Sequence, residues 1–232
     1  MSNLSRGTIR ILSPGLLTTI QDLGRPGLQR FGMPVGGAMD GFALRCANRL
    51  VGNPDHAAAL EVTAVGPELR FDQATTFAVT GAEFRLSLNG HPVPPWTCLE
   101  ASPGSSLRFG QRTFGARAYV AMAGGIDVPL AMGSRATHLQ SRIGGLDGRA
   151  LRKGDVLNLG MRVGSSAPSA GRTCPLESRP NYRACPTLHV ISGPHADRFH
   201  REALEALTSG AYQLTLQSDR MGYRLDGPAL NL

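Results

Sequence analysis

Short strand-like runs, each closed off by glycine, proline or an Asn-Gly pair, recur between residues 8 and 159, and they restrict the chain to folds made of many brief strands. Thr8–Ser13 alternates and is rich in β-branched residues. Ala58–Thr63, Glu68–Phe71, Thr76–Thr80, Phe84–Leu88, Ser106–Phe109, Arg117–Met122 and Asp155–Leu159 read the same way, and Asn89-Gly90 is a hairpin dipeptide. The 29 glycines and 16 prolines supply the turns, together about a fifth of the chain against an average of roughly 12%. The sequence predicts a mainly β fold, a closed barrel or sandwich with a few short helices.

One helix is clear. Met39, Phe42, Ala43, Cys46, Ala47, Leu50 and Val51 fall on one stripe, with Asp40 in the first turn, Gly52 as C-terminal stop and Pro54 beyond it. Before it, residues 21–40 form a long Gly/Pro-punctuated stretch without periodicity, the kind of loop that is functional or a lid. Residues 1–160 form the expected first domain. Residues 161–186 are polar, Pro/Ser-rich and aperiodic and read as a linker. Residues 187–232 begin a second unit: a strand over Thr187–Ser192, a helix near Ala196–Leu207 with Phe199, Ala203 and Leu207 on one face, and a strand over Tyr212–Gln217. So few strands cannot close a barrel and leave exposed edges, so this unit is expected to be incomplete or to be completed by a partner.

The net charge of +7 does not indicate nucleic acid, because the arginines are scattered, form no run and are not interleaved with aromatics; Lys153 is the single lysine. No signal peptide opens the chain and no apolar stretch nears the ~20 residues needed to span a bilayer, so a cytoplasmic protein with no membrane partner is expected. Cys46, Cys98, Cys174 and Cys185 match no zinc spacing and the histidines form no ligand pair, so no metal site is expected. P-loop and nucleophile-elbow motifs are absent, as is a biotin-attachment motif.

Three segments carry more specific information: GLLTTIQDLGRPGLQRFGMPVGGAMDGFALRCANRLVGN (15–53), AYVAMAGGIDVPLAMGSRATHLQSRIGGLDGRALRKGDVL (118–157) and SDRMGYRLDGP (218–228). In order and spacing they resemble the family that contains the C subunit of bacterial ATP-dependent 5-oxoprolinase (also called allophanate hydrolase subunit 2), the carboxyltransferase domain of urea carboxylase (urea amidolyase), and the KipA antagonist of a sporulation-kinase inhibitor. The resemblance implies cyclophilin-like β-barrel domains, a B-subunit partner on a similar barrel and, in 5-oxoprolinase, an A subunit. It implies hydrolysis of 5-oxo-L-proline coupled to ATP, with ATP and Mg²⁺ belonging to the complex. The alternatives it leaves are biotin-dependent carboxyl transfer to urea or a similar amide, with biotin on another protein, and a non-catalytic regulatory role.

Opening a resonance-stabilised lactam calls for carboxylates for Mg²⁺ or proton transfer, arginine for the substrate carboxylate, and Gly-rich backbone for phosphate. Asp22, Asp40 and Glu61 are the candidate catalytic carboxylates. Arg25, Asn48, Arg135, Asp219, Arg220 and Tyr223 are the candidate binders of a small amide substrate. Each has a structural alternative. Asp22 and Arg25 can fix their turn, Asp40 can serve the helix dipole, and Asn48 can cap a loop. Asp219, Arg220 and Tyr223 can pair across a hairpin. Glu61 is a carboxylate on a strand of a small barrel, costly there unless used or paired.

Overall fold

The computed structural model describes residues 7–162, 170–182, 185, 187–220 and 222–230. Part of the linker expectation, residues 163–169, therefore lies outside the described residues. The chain divides into two compact units, Met1–Arg183 and Ala184–Leu232.

The first unit runs β1 (Thr8–Ser13), β2 (Leu17–Gln21), α1 (Gly41–Leu50), β3 (Ala59–Thr63), β4 (Glu68–Phe71), β5 (Thr75–Leu88), β6 (His91–Val93), β7 (Cys98–Ala101), β8 (Ser106–Met122) and β9 (Val156–Asn158). One nine-stranded antiparallel sheet follows the order β2-β3-β8-β4-β1-β9, with β5 pairing β6, β7 and β8. The N-terminal half of β8 pairs with β4, its C-terminal half with β3, and most of its length with β5. Sharing one strand in this way curls the sheet into a half-barrel. Its end strands do not stay bare. The β2 carbonyls of Ile20 and Thr18 accept from Thr137 and Leu151, and Asn158 of β9 accepts from Asp127, so the 126–151 segment covers both edges.

The sequence splits β5 and β8 in two at their glycines, whereas the structure carries both strands through. Gly81 (φ 85°) sits where a Cβ would lie 2.5 Å from the Arg117 carbonyl, and the β5–β8 register shifts at Gly81/Glu83, Glu83/Phe84 and Phe84/Leu86. These glycines mark bulges rather than ends. Strand β2 is missed from sequence because four of its five residues are buried, so it shows no alternation.

Two clusters make the core. Inside the half-barrel, Ile9, Ile20, Leu60, Leu69, Phe71, Phe77, Leu107, Val120 and Met122 pack together, with Phe71 and Phe77 stacked 5.0 Å apart. On the outer face α1 lies on Ala59, Ala78 and Ala121, whose small side chains admit a helix at close range, and Trp96, Tyr119 and Cys174 surround it. Ala43, Ala47, Leu50 and Val51 of the expected stripe are buried, but the buried face is rotated towards Leu44 and Asn48. Leu44 and Asn48 are buried, while Met39 and Phe42 are exposed at 39% and 44%. Asp40 is the N-cap rather than a first-turn residue, and Gly52 (φ 75°) follows the C-terminus as expected. The stretch 170–182, expected as linker, packs onto this unit: Thr173 bridges Thr97, and Cys174 N–H donates to the Trp96 carbonyl.

The second unit holds a 3₁₀ turn at Ala196–Arg198, α2 (Arg201–Ser209), and the two-residue strands β10 (Gln213–Leu214) and β11 (Leu225–Asp226). The expected strand Thr187–Ser192 is not formed. Its apolar residues stand in solvent, Ile191 at 98% exposure, and among the described residues no strand pairs with it. Extended backbone becomes a strand only when a neighbour takes its hydrogen bonds. The strand expected over Tyr212–Gln217 shrinks to β10 for the same reason. The helix begins later than expected, after an extended His200, with Ala203 buried. Among the described residues no helix is long and apolar enough to cross a membrane.

Leu69 is fully buried between β1 and β8. Leu69→Ala is expected to lower the unfolding free energy by ~2–5 kcal/mol, whereas Leu16→Ala, at a position 68% exposed, changes it by less than about 0.5 kcal/mol. Urea unfolding of the two variants checks this.

Candidate functional site

Asp22 leaves the end of β2 and enters the Gly-rich loop. One carboxylate oxygen accepts from Gly24 N–H (2.7 Å) and Ser134 Oγ (2.6 Å); the other accepts from Arg135 N–H (2.6 Å). The donors around this buried carboxylate come from two loops far apart in sequence. Arg25 strengthens the same junction. Its Nε donates to the Ala131 carbonyl (3.3 Å) and its Nη2 to the Ala136 carbonyl (2.6 Å), and the side chain is 2% exposed. Burial pulls the guanidinium below its ordinary pKa, and the nearby Asp22 charge opposes that pull. Nη1 has no hydrogen-bond partner. It faces Gly36, where an added Cβ would stand 3.5 Å away.

The loops can come this close because of glycine. A Cβ on Gly24 would lie 2.5 Å from the Val35 carbonyl, and one on Gly144 would lie 2.1 Å from the Ala136 carbonyl. Arg135 directs its Nε to the Val128 carbonyl (2.9 Å) and pairs with Asp127 at 3.5 Å, so its guanidinium braces its own loop.

A second group lies under α1. Glu61, on β3 and 2% exposed, accepts from Tyr119 Oη (2.7 Å) and Met39 N–H (2.9 Å), with Arg117 Nε at 3.7 Å. Tyr119 Oη in turn accepts from Asp40 N–H (2.8 Å). Asp40 caps α1 by accepting from Ala43 N–H (2.9 Å), and its other oxygen accepts from Tyr182 Oη (2.5 Å). Burial raises both tyrosine pKa values, reinforced at Tyr119 by the Glu61 charge and at Tyr182 by the hydrogen bond to Asp40.

The structure thus brings Asp22, Arg25 and Arg135 together, and separately Asp40 and Glu61. Asn48 stands apart. It is fully buried, its amide donates to the Asp55 and Ala57 carbonyls, and its oxygen accepts from Asn53, so it fixes the α1–β3 turn. Asp219, Arg220 and Tyr223 lie in the second unit, where Asp219 accepts from Gly222 N–H across a turn and Tyr223 is exposed. Sequence reasoning missed Ser134, Arg117, Tyr119 and Tyr182. Tyr119 was findable, since it falls opposite Glu61 once β3 and β8 are paired; Tyr182 was not, because the region around it carries no periodicity. Among the described residues no group of three or more His, Cys, Asp or Glu could hold a metal ion. Asp22 already accepts three donors, so Arg25 Nη1 is the group here with an open bond to offer.

A family described as carboxyltransferase domain, subdomain A and B, matches residues 31–232. The chain is 40% identical to the 5-oxoprolinase C subunit of Escherichia coli (strain K12) over 222 residues, covering 96% of this chain and 69% of that protein. It is 38% identical to urea amidolyase of Saccharomyces cerevisiae over 226 residues, but spans only 12% of that protein's length. The crystal structure of the K. lactis urea amidolyase superposes with a TM-score of 0.87 at 34% identity, over 99% of this chain and 14% of that one. The chain belongs to this carboxyltransferase family.

Because Tyr119 is held neutral by burial beside Glu61, its ionisation opposes folding. Its raised pKa leaves stability intact below about pH 10, the ordinary tyrosine value, and removes stability as the pH rises further. Tyr119→Phe is expected to cost ~1–3 kcal/mol near neutrality, since it strips Glu61 and Asp40 N–H of a partner, and to flatten the alkaline loss. Urea unfolding in steps from about pH 8 to 11 checks both; parallel pH profiles for the two proteins would refute the assignment.

Proposed function

We propose that this carboxyltransferase-family chain acts as the C subunit of an ATP-dependent 5-oxoprolinase, working with B and A subunits to hydrolyse 5-oxo-L-proline to L-glutamate. The observation that carries the reading is the extent of likeness. The chain is 40% identical to a 5-oxoprolinase C subunit over 96% of its own length and spans 69% of that protein.

The lactam carbon resists water because the amide is resonance-stabilised, and activation places negative charge on the lactam oxygen or on the phosphoryl group transferred to it. A buried cation with an open donor suits such a charge. Arg25 is that cation, with Nη1 over Gly36. Asp22 positions it, by holding the 131–136 carbonyls that orient the guanidinium. Asp40 and Glu61 are assigned to proton transfer through Tyr119 and Tyr182, and Arg135 to bracing the loop. ATP brings the phosphoryl group and Mg²⁺ its counter-charge; the described residues of this chain lack a ligand group for the ion, which is expected to be held by ATP phosphates and another subunit.

A second reading, favoured by the family match itself, is carboxyl transfer from biotin on another protein to urea or a similar amide.

The test is 5-oxoproline-dependent ADP release by the A and B subunits with and without this chain. Activity is expected only with the chain present, and Arg25→Met is expected to lower kcat/KM at least about tenfold, or about 1.4 kcal/mol. An equal rate without the chain overturns the reading, and urea-dependent loss of carboxybiotin would establish the second.

A further inference from the structure

Arginines that are scattered along the sequence are gathered by strand pairing. On the outer face of the sheet, Arg10 of β1, Arg70 of β4, Arg108 of β8 and Arg85 of β5 stand exposed on four adjacent strands. We propose that this face docks the carboxylate-bearing surface of an acidic protein partner.

Alternation along each strand fixes which way these side chains point. Each arginine is flanked by two residues of the inner core: Arg10 by Ile9 and Ile11, Arg70 by Leu69 and Phe71, Arg108 by Leu107 and Phe109, and Arg85 by Phe84 and Leu86. Register sets the spacing. Arg10 lies directly opposite Arg70, while Arg108 has Glu68 of β4 opposite it on one side and Ser87 of β5 on the other. Neighbouring strands lie ~4.8 Å apart, so β1 to β5 spans about 14 Å. The helix α1 covers the outer face elsewhere, over Ala59, Ala78 and Ala121.

Folding alone does not favour this arrangement. Like charges directly opposite destabilise a sheet, and one carboxylate, Asp72, serves both Arg10 and Arg70, at 4.0 and 3.9 Å. Arg85 and Arg108 make no hydrogen bond or ion pair among the described residues. The guanidiniums are therefore open, and arginine takes a carboxylate in a bidentate fork. Two features select a protein over a nucleic acid or an anionic membrane. Asp72 and Glu68 interrupt the stripe and repel a continuous row of phosphates, whereas a folded protein can place its carboxylates between them. The outward neighbours Thr8, Ser87, Ser106 and Gly110 include no aromatic ring on which bases could stack.

The full chain is titrated by calorimetry at low salt with poly-L-glutamate, with a DNA duplex and with phosphatidylserine vesicles. Saturable binding of poly-L-glutamate is expected, tighter than that of either phosphate probe and weakened by added salt. Arg70→Gln/Arg108→Gln is expected to weaken it at least about tenfold, while Arg201→Gln/Arg224→Gln, which removes the same charge from the second unit, stays within about twofold of wild type. Arg85→Gln/Arg108→Gln breaks no ion pair of the described residues and is expected to show the same loss as the first variant with an unchanged urea midpoint. No saturable binding, equal loss in the second-unit variant, no loss in Arg85→Gln/Arg108→Gln, or tighter binding of the duplex or the vesicles would each overturn the proposal. None of these outcomes bears on the 5-oxoprolinase reading, which ADP release tests separately.

Discussion

The carboxylate of Asp22 clasps two loops that lie more than a hundred residues apart in sequence. It takes a hydroxyl and a backbone N–H from the 134–135 turn and an N–H from its own turn. Charge-assisted bonds of this kind are short and roughly twice as strong as neutral ones. Beside them the carbonyls of Ala131 and Ala136 face inward, and Arg25 donates to both. The Arg25 side chain is thereby committed to a buried, partly satisfied position that it would not adopt by itself. The open donor over Gly36 is therefore a product of the Asp22 clasp.

The junction beneath α1 follows the same logic on the outer face of the sheet. Glu61 is a buried carboxylate on a strand, and such a group persists only when its lone pairs are occupied. Tyr119 and Met39 N–H occupy one oxygen, and Arg117 approaches the other. Met39 and Asp40 are the last residues of the Gly-rich loop, so Glu61 fixes where that loop ends and α1 begins. Ala38 N–H donates to the Asp22 carbonyl, which links the two junctions through a single short segment. Through Tyr182, Asp40 also ties the 170–182 stretch to this junction.

Much of this architecture was legible from sequence because one physical rule governed it. β1 and β4 were read to the residue, because each buries one face and shows alternation. β5 and β8 were cut short, since a glycine looks the same in sequence whether it ends a strand or bulges it; only the partner's carbonyl, 2.5 Å from a Cβ on Gly81, tells them apart. Thr187–Ser192 has the composition of a strand but no neighbour among the described residues, and strand formation is a property of pairs. At the site, Asp22 and Arg25 were legible as a pair in one loop, whereas Arg135 stood as a separate candidate, because only the fold brings the 134–135 turn to the Asp22 carboxylate. Ser134 was not, since a serine's partner, unlike its hydroxyl, leaves no trace in the sequence. Asn48, a candidate substrate binder, has its amide bonded to the Asp55 and Ala57 carbonyls, the loop-holding alternative that its sequence also allowed.

Hydrogen exchange in Asp22→Ala tests the central claim most directly. If the Asp22 carboxylate makes the two loops one unit, amides across residues 22–38 and 131–145 exchange faster together, by at least about tenfold, while β5 and β8 keep their protection. Faster exchange confined to residues 22–25, with 131–145 unchanged, would contradict it.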